Sequence, residues 1–474
     1  MRHHLLTHRA FKVAACAALV VAGAAGCHDF LTGPKLSVDP NNPTAVTADQ
    51  LFTGVQVATF AQLGGQFPYS VLPLYARQYT GVARQWTNYA NFAGGGLTEN
   101  DVDGAFKGIY GPGGLQDIRA LERLSAKEGN RVLLGIAQVY EAMQIGTAAD
   151  LWGDIPYSQA VVDTIAKPAL DKQADVYARV QAVLDTAIAN LKSGEGLGPG
   201  NTDFVYDRDY SKWAKAAATL KARFYMHTSR VGDTAAALDS AIKYAQQGIS
   251  DTTGDFVVRY TGAQGEQNLF YGFLISRSGD IEPDSVLVTI LKQRGDTKLL
   301  QKYFTLGSGC STYVGSVPGK SVDCVSNFNI TPETPTTLIS YAENQMILAE
   351  ALYRRGQPAL ALATLNAFRV YMGYAPVSAS GVGILIAILQ EKYVHLFLQL
   401  ETYFDYLRTC YPNFPLPAGA KIDYVPARLR YGYSERIANS TNIEAANPGN
   451  ANANFPKNAT DPTGAVCLGQ VGRP

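Results

Sequence analysis

The feature that most constrains the fold is a series of amphipathic helical segments joined by short turns. Residues 174–192 place their apolar side chains on one helical face, at i, i+3, i+4 and i+7 spacing. A proline at its start and a glycine after its end delimit another helix over 358–372. Helices of this length joined by short turns form antiparallel hairpins, and such hairpins stack to bury their apolar faces. The pattern predicts a mainly α fold of tetratricopeptide-like stacked helical hairpins.

Local capping signals place the other helices. Asn130 is the predicted N-cap of a long helix, and Asp233 and Gly248 are the predicted caps of a helix over 234–247. Further helices are predicted over 51–63, 212–229, 338–355 and 384–400. The helical scaffold is therefore predicted over about 45–63, 130–250 and 336–411. The segments without this periodicity form a predicted irregular, ligand-facing lobe over about 64–115, 251–335 and 412–474.

Residues 1–26 have the pattern of a removable export signal. Basic residues and histidines precede a short run of Ala, Val and Leu, and small residues end this run before Cys27. The run is too short to span a bilayer. A cysteine at this point predicts a lipoprotein that is acylated at Cys27 and has a single domain over 27–474. The alternative is an ordinary signal peptide followed by a chance cysteine.

Charge and cysteine content narrow the class of partner. The chain has 40 basic and 40 acidic residues, so it lacks the basic excess that nucleic-acid binding normally requires. Charged residues make up 17% of the chain and tyrosine occurs 27 times, which favours binding through amphipathic rings.

No metal site is expected, because the cysteines lack CxxC spacing. In an oxidising compartment, the predicted disulfides are Cys310–Cys324 and Cys410–Cys467.

Four motifs, in order along the chain, resemble those of the SusD/RagB family of outer-membrane nutrient-binding lipoproteins. Cys27 with the Asp-Pro-Asn-Asn-Pro run resembles the start of the mature family members, and Asp-Leu-Trp-Gly-Asp-Ile-Pro-Tyr over 150–157 resembles their most recognisable motif. The third motif is the helical Ala-Glu pattern over 340–352. The fourth combines Phe-Asp-x-x-Arg over 404–408 with the stretch 428–435.

This resemblance implies a function in nutrient uptake. A member of the family would be lipid-anchored and surface-exposed at the outer membrane. It would sit as a hinged lid over a SusC-like TonB-dependent transporter, capture an oligosaccharide and deliver it for import. Such a protein needs no cofactor. The resemblance also implies a ligand site built by loops from two separate regions of the chain.

Two aromatic-rich segments fit such a site, namely 67–92 and 267–273. Flat rings stack on the C–H faces of sugars, and neighbouring amide and guanidinium groups bind the hydroxyls. The alternative for each ring is that it packs the lobe onto the helices, as is predicted for Trp152 and Trp213 in the scaffold. The predicted ligand-binding residues are Tyr69, Arg84, Trp86, Asn88, Tyr89, Asn268, Phe270 and Tyr271.

The sequence favours a binding protein over an enzyme. His227 and His395 lie in apolar helices, where packed imidazoles are expected, and Asp101 and Asp103 are more simply helix caps than a glycosidase pair. The segment 315–321 is one residue short of a phosphate-binding loop and is predicted to be a turn. Two rival functions remain. One is a peptide-binding uptake lipoprotein on the same scaffold, and the other is a structural adaptor that binds no small ligand.

Overall fold

The structure is a computed structural model that describes residues 46–93, 96–230, 233–418, 420 and 425–446. Within these residues the helices are α1 Ala48–Leu63, α2 Val71–Tyr75, α3 Arg84–Ala90, α4 Glu99–Tyr110, α5 Leu115–Lys127, α6 Arg131–Trp152, α7 Gln173–Ser193, α8 Tyr210–Thr228, α9 Thr234–Ala245, α10 Leu269–Ser276, α11 Ser285–Gln293, α12 Thr297–Tyr303, α13 Tyr341–Arg354, α14 Pro358–Tyr371, α15 Val382–His395, α16 Glu401–Thr409, α17 Tyr433–Ala438 and α18 Ser440–Ala446. The strands are β1 Tyr79–Gly81, β2 Ile155–Pro156, β3 Leu170–Asp171, β4 Phe256–Val258, β5 Ile281–Pro283, β6 Phe304–Thr305, β7 Asn327–Phe328 and β8 Thr336–Ile339.

The long helices form stacked hairpins, which confirms the predicted fold class. The helix α6 packs against α7, α8 against α9, and α13 against α14, and neighbouring hairpins contact each other through α7 with α8 and α9 with α13. The predicted caps explain several of the ends. The side chain of Asn130 accepts a hydrogen bond from Leu133 N at 3.4 Å, and that of Asp233 accepts one from Ala236 N at 3.0 Å. Pro358 occupies the first turn of α14.

Two predictions about helix ends are wrong, and the lobe contains more helix than its sequence pattern indicates. The helix predicted over 384–400 ends at His395, and a turn with Leu398 at φ +61° separates it from α16. Gly248 is not a C-cap, because α9 ends at Ala245. The lobe is only partly irregular, because the short helices α2, α3, α4, α10, α11 and α12 lie between its loops. These lobe helices are short and depend on packing, so their periodicity is weak in the sequence.

Short antiparallel ladders bring distant parts of the lobe together. The strand β1 pairs with β5, with Tyr79 opposite Pro283, so the segment containing α2 and α3 lies beside the segment that follows α10. The strand β4 pairs with β8, which leads directly into α13. The lobe is thereby joined to the helical stack through hydrogen-bonded backbone.

The scaffold has an aromatic core at the predicted tryptophans. Trp152 and Trp213 are both fully buried, as predicted. The ring of Trp213 lies edge-on to Phe256 with the centroids 5.5 Å apart, and Tyr140 lies at the same centroid distance. Phe256 belongs to β4, so these contacts also fix the start of the lobe against the stack.

The disulfide prediction is confirmed where it can be observed. Cys310 and Cys324 are bonded to each other and close a loop between β6 and β7. Cys410 is also disulfide-bonded. Its predicted partner Cys467, like Cys27 and the predicted signal over 1–26, lies outside the described residues. The single domain predicted over 27–474 stays a prediction.

Hydropathy adds one observation about membranes. Among the helices of the described ranges, none combines the length and the apolar character needed to cross a bilayer.

Candidate ligand-binding site

The two predicted aromatic segments meet in the lobe. Trp86 on α3 contacts Phe273 on α10, with the ring centroids 4.7 Å apart. Asn268 starts α10, because its side-chain oxygen accepts a hydrogen bond from Tyr271 N at 2.9 Å. Tyr79 on β1 then links the two helices, since its ring lies 6.4 Å from Trp86 and 5.5 Å from Phe270. The result is one continuous cluster of rings built from both segments.

Trp86 is a predicted ligand-binding residue, but its ring is not exposed. Trp86 is 2% exposed, because Phe67, Tyr79, Tyr89 and Phe273 surround its indole ring. A large apolar ring on a short helix gains more by packing against other rings than by facing water. Three other predicted contact residues are also buried, namely Tyr69, Asn268 and Phe270.

The helix α3 has a buried face and an exposed face. Several predicted ligand-binding residues lie on the exposed face. Trp86 and Ala90, four residues apart, point inward, whereas Arg84, Gln85 and Asn88 are exposed and Tyr89 is half-buried. The ring of Phe67 is 37% exposed and lies 5.8 Å from that of Tyr89. We use the name lobe edge for this surface, which consists of Phe67, Arg84, Gln85, Asn88, Tyr89 and the half-buried Phe273.

Two predicted contact residues at the lobe edge also form bonds within the protein. The guanidinium of Arg84 pairs with the buried carboxylate of Asp280 and donates to Ser278 O at 3.1 Å. The hydroxyl of Tyr89 donates to Asp101 at 3.0 Å. Burial and the neighbouring Asp101 carboxylate raise the pKa of Tyr89, so the phenol stays protonated. These bonds hold both side chains in place and leave the Tyr89 ring and part of the Arg84 guanidinium accessible.

Three of the four buried predicted residues line a cavity of about 290 Å³. Tyr69, Asn268 and Phe270 all contribute to its wall. Asn268 acts mainly as a structural residue, because its amide nitrogen donates to Thr334 O at 2.7 Å while its oxygen caps α10. The remaining predicted residue, Tyr271, is half-buried on α10. It does not line the cavity and does not belong to the lobe edge.

Charged residues of the second, third and fourth motifs lie elsewhere, in a buried network of charges within the helical stack. His227 bridges two carboxylates, with 2.8 Å from Nδ1 to Asp150 and 2.8 Å from Nε2 to Glu401. Burial disfavours the imidazolium, but the Asp150 and Glu401 carboxylates outweigh this and raise the pKa of His227 to about 10. His227 is therefore a charged structural residue at neutral pH, and its role as a packed imidazole agrees with the prediction.

The same network extends along α13 to α16. Arg408 donates to Glu350 at 2.7 Å and to Asp405 at 2.7 Å, so the local pair predicted within Phe-Asp-x-x-Arg exists and is joined by a third residue. Glu350 also accepts from Arg354 at 2.7 Å. The network contains five acidic and five basic side chains, which are Asp150, Glu343, Glu350, Glu401, Asp405, Arg223, His227, Arg354, Lys392 and Arg408. Since these charges pair with one another, the charged motif residues in the network have structural roles.

The residues weighed as alternative catalytic groups have structural roles. Asp101 forms a capping box with Thr98 at the start of α4. Asp103 accepts hydrogen bonds from the backbone and side chain of Ser434. The segment 315–321 contains a turn, in which Lys320 N donates to Val317 O at 3.0 Å. No group of three or more potential metal ligands occurs in the described part of the chain.

Comparison with solved structures shows the fold. A chitin-binding protein matches with a TM-score of 0.71 and 24% identity over 88% of this chain and 100% of its own. A SusD/RagB family protein from Bacteroides thetaiotaomicron matches with a TM-score of 0.72 and 23% identity over 87% and 98%. A chitin-binding SusD homologue from Flavobacterium johnsoniae matches with a TM-score of 0.71 and 20% identity over 88% and 99%.

Comparison at the sequence level identifies the family. A search of curated proteins finds no match. Residues 40–433, which include the four motifs apart from Cys27, Asp39 and the last two residues of the stretch 428–435, match the model of a family described as starch-binding and associating with the outer membrane. The chain therefore belongs to the SusD-like family, as its motifs indicated.

Proposed function

We propose that this protein binds an oligosaccharide at the lobe edge and delivers it to a SusC-like TonB-dependent transporter. The observation that carries the proposal is the family match over 40–433, because the family is described by starch binding and by association with the outer membrane. The two chitin-binding proteins of the same fold support a glycan as the ligand class.

The chemistry of the lobe edge suits a sugar chain. The rings of Phe67 and Tyr89 lie 5.8 Å apart at an angle of 43°, so neighbouring sugar units can each place a C–H face against a ring. The exposed side chains of Gln85 and Asn88 offer amide donors and acceptors beside these rings. Stacking supplies affinity with modest specificity, which suits a receptor that must also release its ligand.

The proposal includes attachment to the membrane and excludes catalysis. Acylation of Cys27 would anchor the protein at the outer membrane. Of the two carboxylates weighed as a glycosidase pair, Asp101 belongs to the capping box of α4 and Asp103 accepts hydrogen bonds from Ser434, so both are held within the protein. A protein that hands on its ligand intact needs neither an acid nor a nucleophile at this surface.

Isothermal titration tests the proposal directly. The mature protein is titrated with chitohexaose, maltohexaose and a panel of short peptides. We expect heat of binding with at least one of the two oligosaccharides and none with peptides. Replacing Tyr89 by alanine removes one stacking ring and should weaken that binding by about tenfold.

Tyr371→Ala is the control, because Tyr371 is also an accessible tyrosine, 50% exposed, but lies on α14 and bonds Thr252. Its affinity for the oligosaccharide should equal that of the unmodified protein. Heat with peptides but with neither oligosaccharide would replace the proposal with peptide uptake. Stable co-purification with a barrel protein, combined with no heat from any ligand, would favour the structural adaptor.

A further inference from the structure

The cavity behind the aromatic cluster has the features of a second ligand site. Tyr79 contacts the Trp86 ring and also lines this cavity, so the same cluster borders both the lobe edge and the cavity. Its volume of about 290 Å³ is close to the lower end of small-molecule sites, which begin at about 300 Å³. The space therefore suits one small unit, not a chain.

One tyrosine hydroxyl in the wall makes no hydrogen bond. Three tyrosines line the cavity, and two of them use their hydroxyls within the protein, since Tyr79 donates to Ser70 O and Tyr303 donates to Val394 O at 3.0 Å. Tyr69 is only 3% exposed, yet its hydroxyl makes no hydrogen bond to any described residue. Its oxygen is not among the enclosed unpaired atoms, so the hydroxyl is accessible to a ligand in the cavity that Tyr69 lines.

A second polar group has the same property. The side-chain oxygen Oε1 of Gln399 is buried and has no hydrogen-bond partner among the described residues. Gln399 lines the cavity together with Tyr69. The two residues come from segments more than 300 positions apart, so the fold itself places two unpaired polar groups around one space.

A cation without an ion-pair partner lies at the same cavity. Lys302 lines it and is exposed to solvent, which places this side chain at the opening. Among the described residues, no carboxylate oxygen lies within 4.0 Å of its ammonium nitrogen, and Asp255 acts on it only from beyond that distance. Glu391, which lies beside the cavity, is already paired with Arg294 and Arg369. The cavity thus presents a positive charge that no ion pair within the described chain neutralises.

Aromatic rings complete the wall. The rings of Tyr303 and Phe397 stack at 4.3 Å between centroids and 26° between planes, and both residues line the cavity with Phe270. Flat apolar surface next to hydroxyl, amide and ammonium groups is complementary to a sugar ring that carries a carboxylate.

We propose that this cavity binds a single carboxylate-bearing sugar unit, such as a hexuronic acid. Lys302 pairs with the carboxylate, Tyr69 and Gln399 bond the ring hydroxyls, and the aromatic wall contacts the C–H face. The choice of a sugar rests on the proposed function, whereas the choice of an acidic one rests on Lys302. The site lies apart from the lobe edge, so each can be tested without the other.

The test is titration of the mature protein with D-glucuronate and D-galacturonate, with D-glucose and D-galactose as neutral counterparts. We expect at least one uronate to bind about tenfold more tightly than its neutral counterpart, because a hydrogen bond to a charged group contributes more than one to a neutral group. Lys302→Met should remove this advantage. Tyr69→Phe, which keeps the ring and its packing, should weaken uronate binding several-fold.

Lys298→Met is the matched control, because Lys298 lies one turn earlier on α12 and bonds Met372 O instead of lining the cavity. It should bind uronate as the unmodified protein does. Absence of uronate binding, or binding that persists unchanged in both Lys302→Met and Tyr69→Phe, would overturn the cavity proposal. Hexasaccharide binding at the lobe edge with no uronate binding would contradict the cavity alone, and uronate binding with no hexasaccharide binding would contradict the lobe edge alone.

Discussion

The charged network in the helical stack and the aromatic cluster in the lobe are both buried, but they differ in whether any of their side chains remain accessible to a ligand. In the network, five acidic and five basic side chains form ion pairs with one another. In the lobe, Trp86 is enclosed by rings, but Phe67 and Tyr89 at the border of the cluster remain accessible. The contrast shows that a conspicuous residue type such as tryptophan occurs in a dense interior as readily as at a binding surface. We therefore place the proposed ligand site where packing is incomplete.

The largest effect should come from breaking the network. Glu350 is fully buried and bonds both Arg354 and Arg408, so Glu350→Ala leaves two guanidinium groups without their shared partner. We expect a loss of about 3–5 kcal/mol in the free energy of unfolding, measured by denaturant titration. The control Glu195→Ala removes an exposed partner of Arg131 and should cost about 0–1 kcal/mol. Similar losses in the two variants would show that the network does not stabilise the fold.

The next prediction separates the two kinds of ring in the lobe. Trp86→Ala should lower the free energy of unfolding by about 3–5 kcal/mol, because it empties the centre of the cluster. Tyr89→Ala truncates a half-buried ring and should cost clearly less stability in the same denaturant titration. A larger stability loss for Tyr89→Ala than for Trp86→Ala would contradict the distinction between an enclosed ring and an accessible one.

A smaller effect should appear in the pH dependence of stability. The pKa of His227 is raised from 6.5 to about 10 in the folded protein, so the native state binds this proton more tightly than the unfolded chain. The resulting stabilisation is complete below about pH 6.5 and is lost as the pH rises towards 10. Denaturant titrations should show a decrease of at least about 1 kcal/mol between pH 6.5 and 9.5. His227→Gln should be less stable at pH 6.5 and should lack this slope; an unchanged slope in that variant would assign it to other groups.

The sequence predicts the scaffold well because its signals are local. Asn130, Asp233 and Pro358 each act on the helix that immediately follows, so their effect does not depend on distant residues. The sequence does not predict the helix end at His395, because the apolar pattern continues beyond it. There the chain turns so that Glu401 can reach His227, and no local pattern encodes that contact.

The sequence predicts which segments form the candidate site, but it does not predict which of their side chains face solvent. The resemblance brought together 67–92 and 267–273, and the structure joins them through Trp86 and Phe273. Whether a ring faces water depends on neighbours such as Phe273, which lies almost 190 positions from Trp86 in the sequence. The cavity was missed for the same reason, since Tyr69, Lys302 and Gln399 show no shared pattern along the chain.

A crystal structure of the protein with the hexasaccharide that binds in the titration would test the central claim most directly. The account predicts a sugar unit in van der Waals contact, at about 4 Å, with the rings of Phe67 and Tyr89, and an amide of Gln85 or Asn88 bonded to its hydroxyls. Trp86 should remain enclosed, as it is without ligand. A sugar seated on the helical hairpins, or a lobe that opens to present the face of Trp86, would contradict the account.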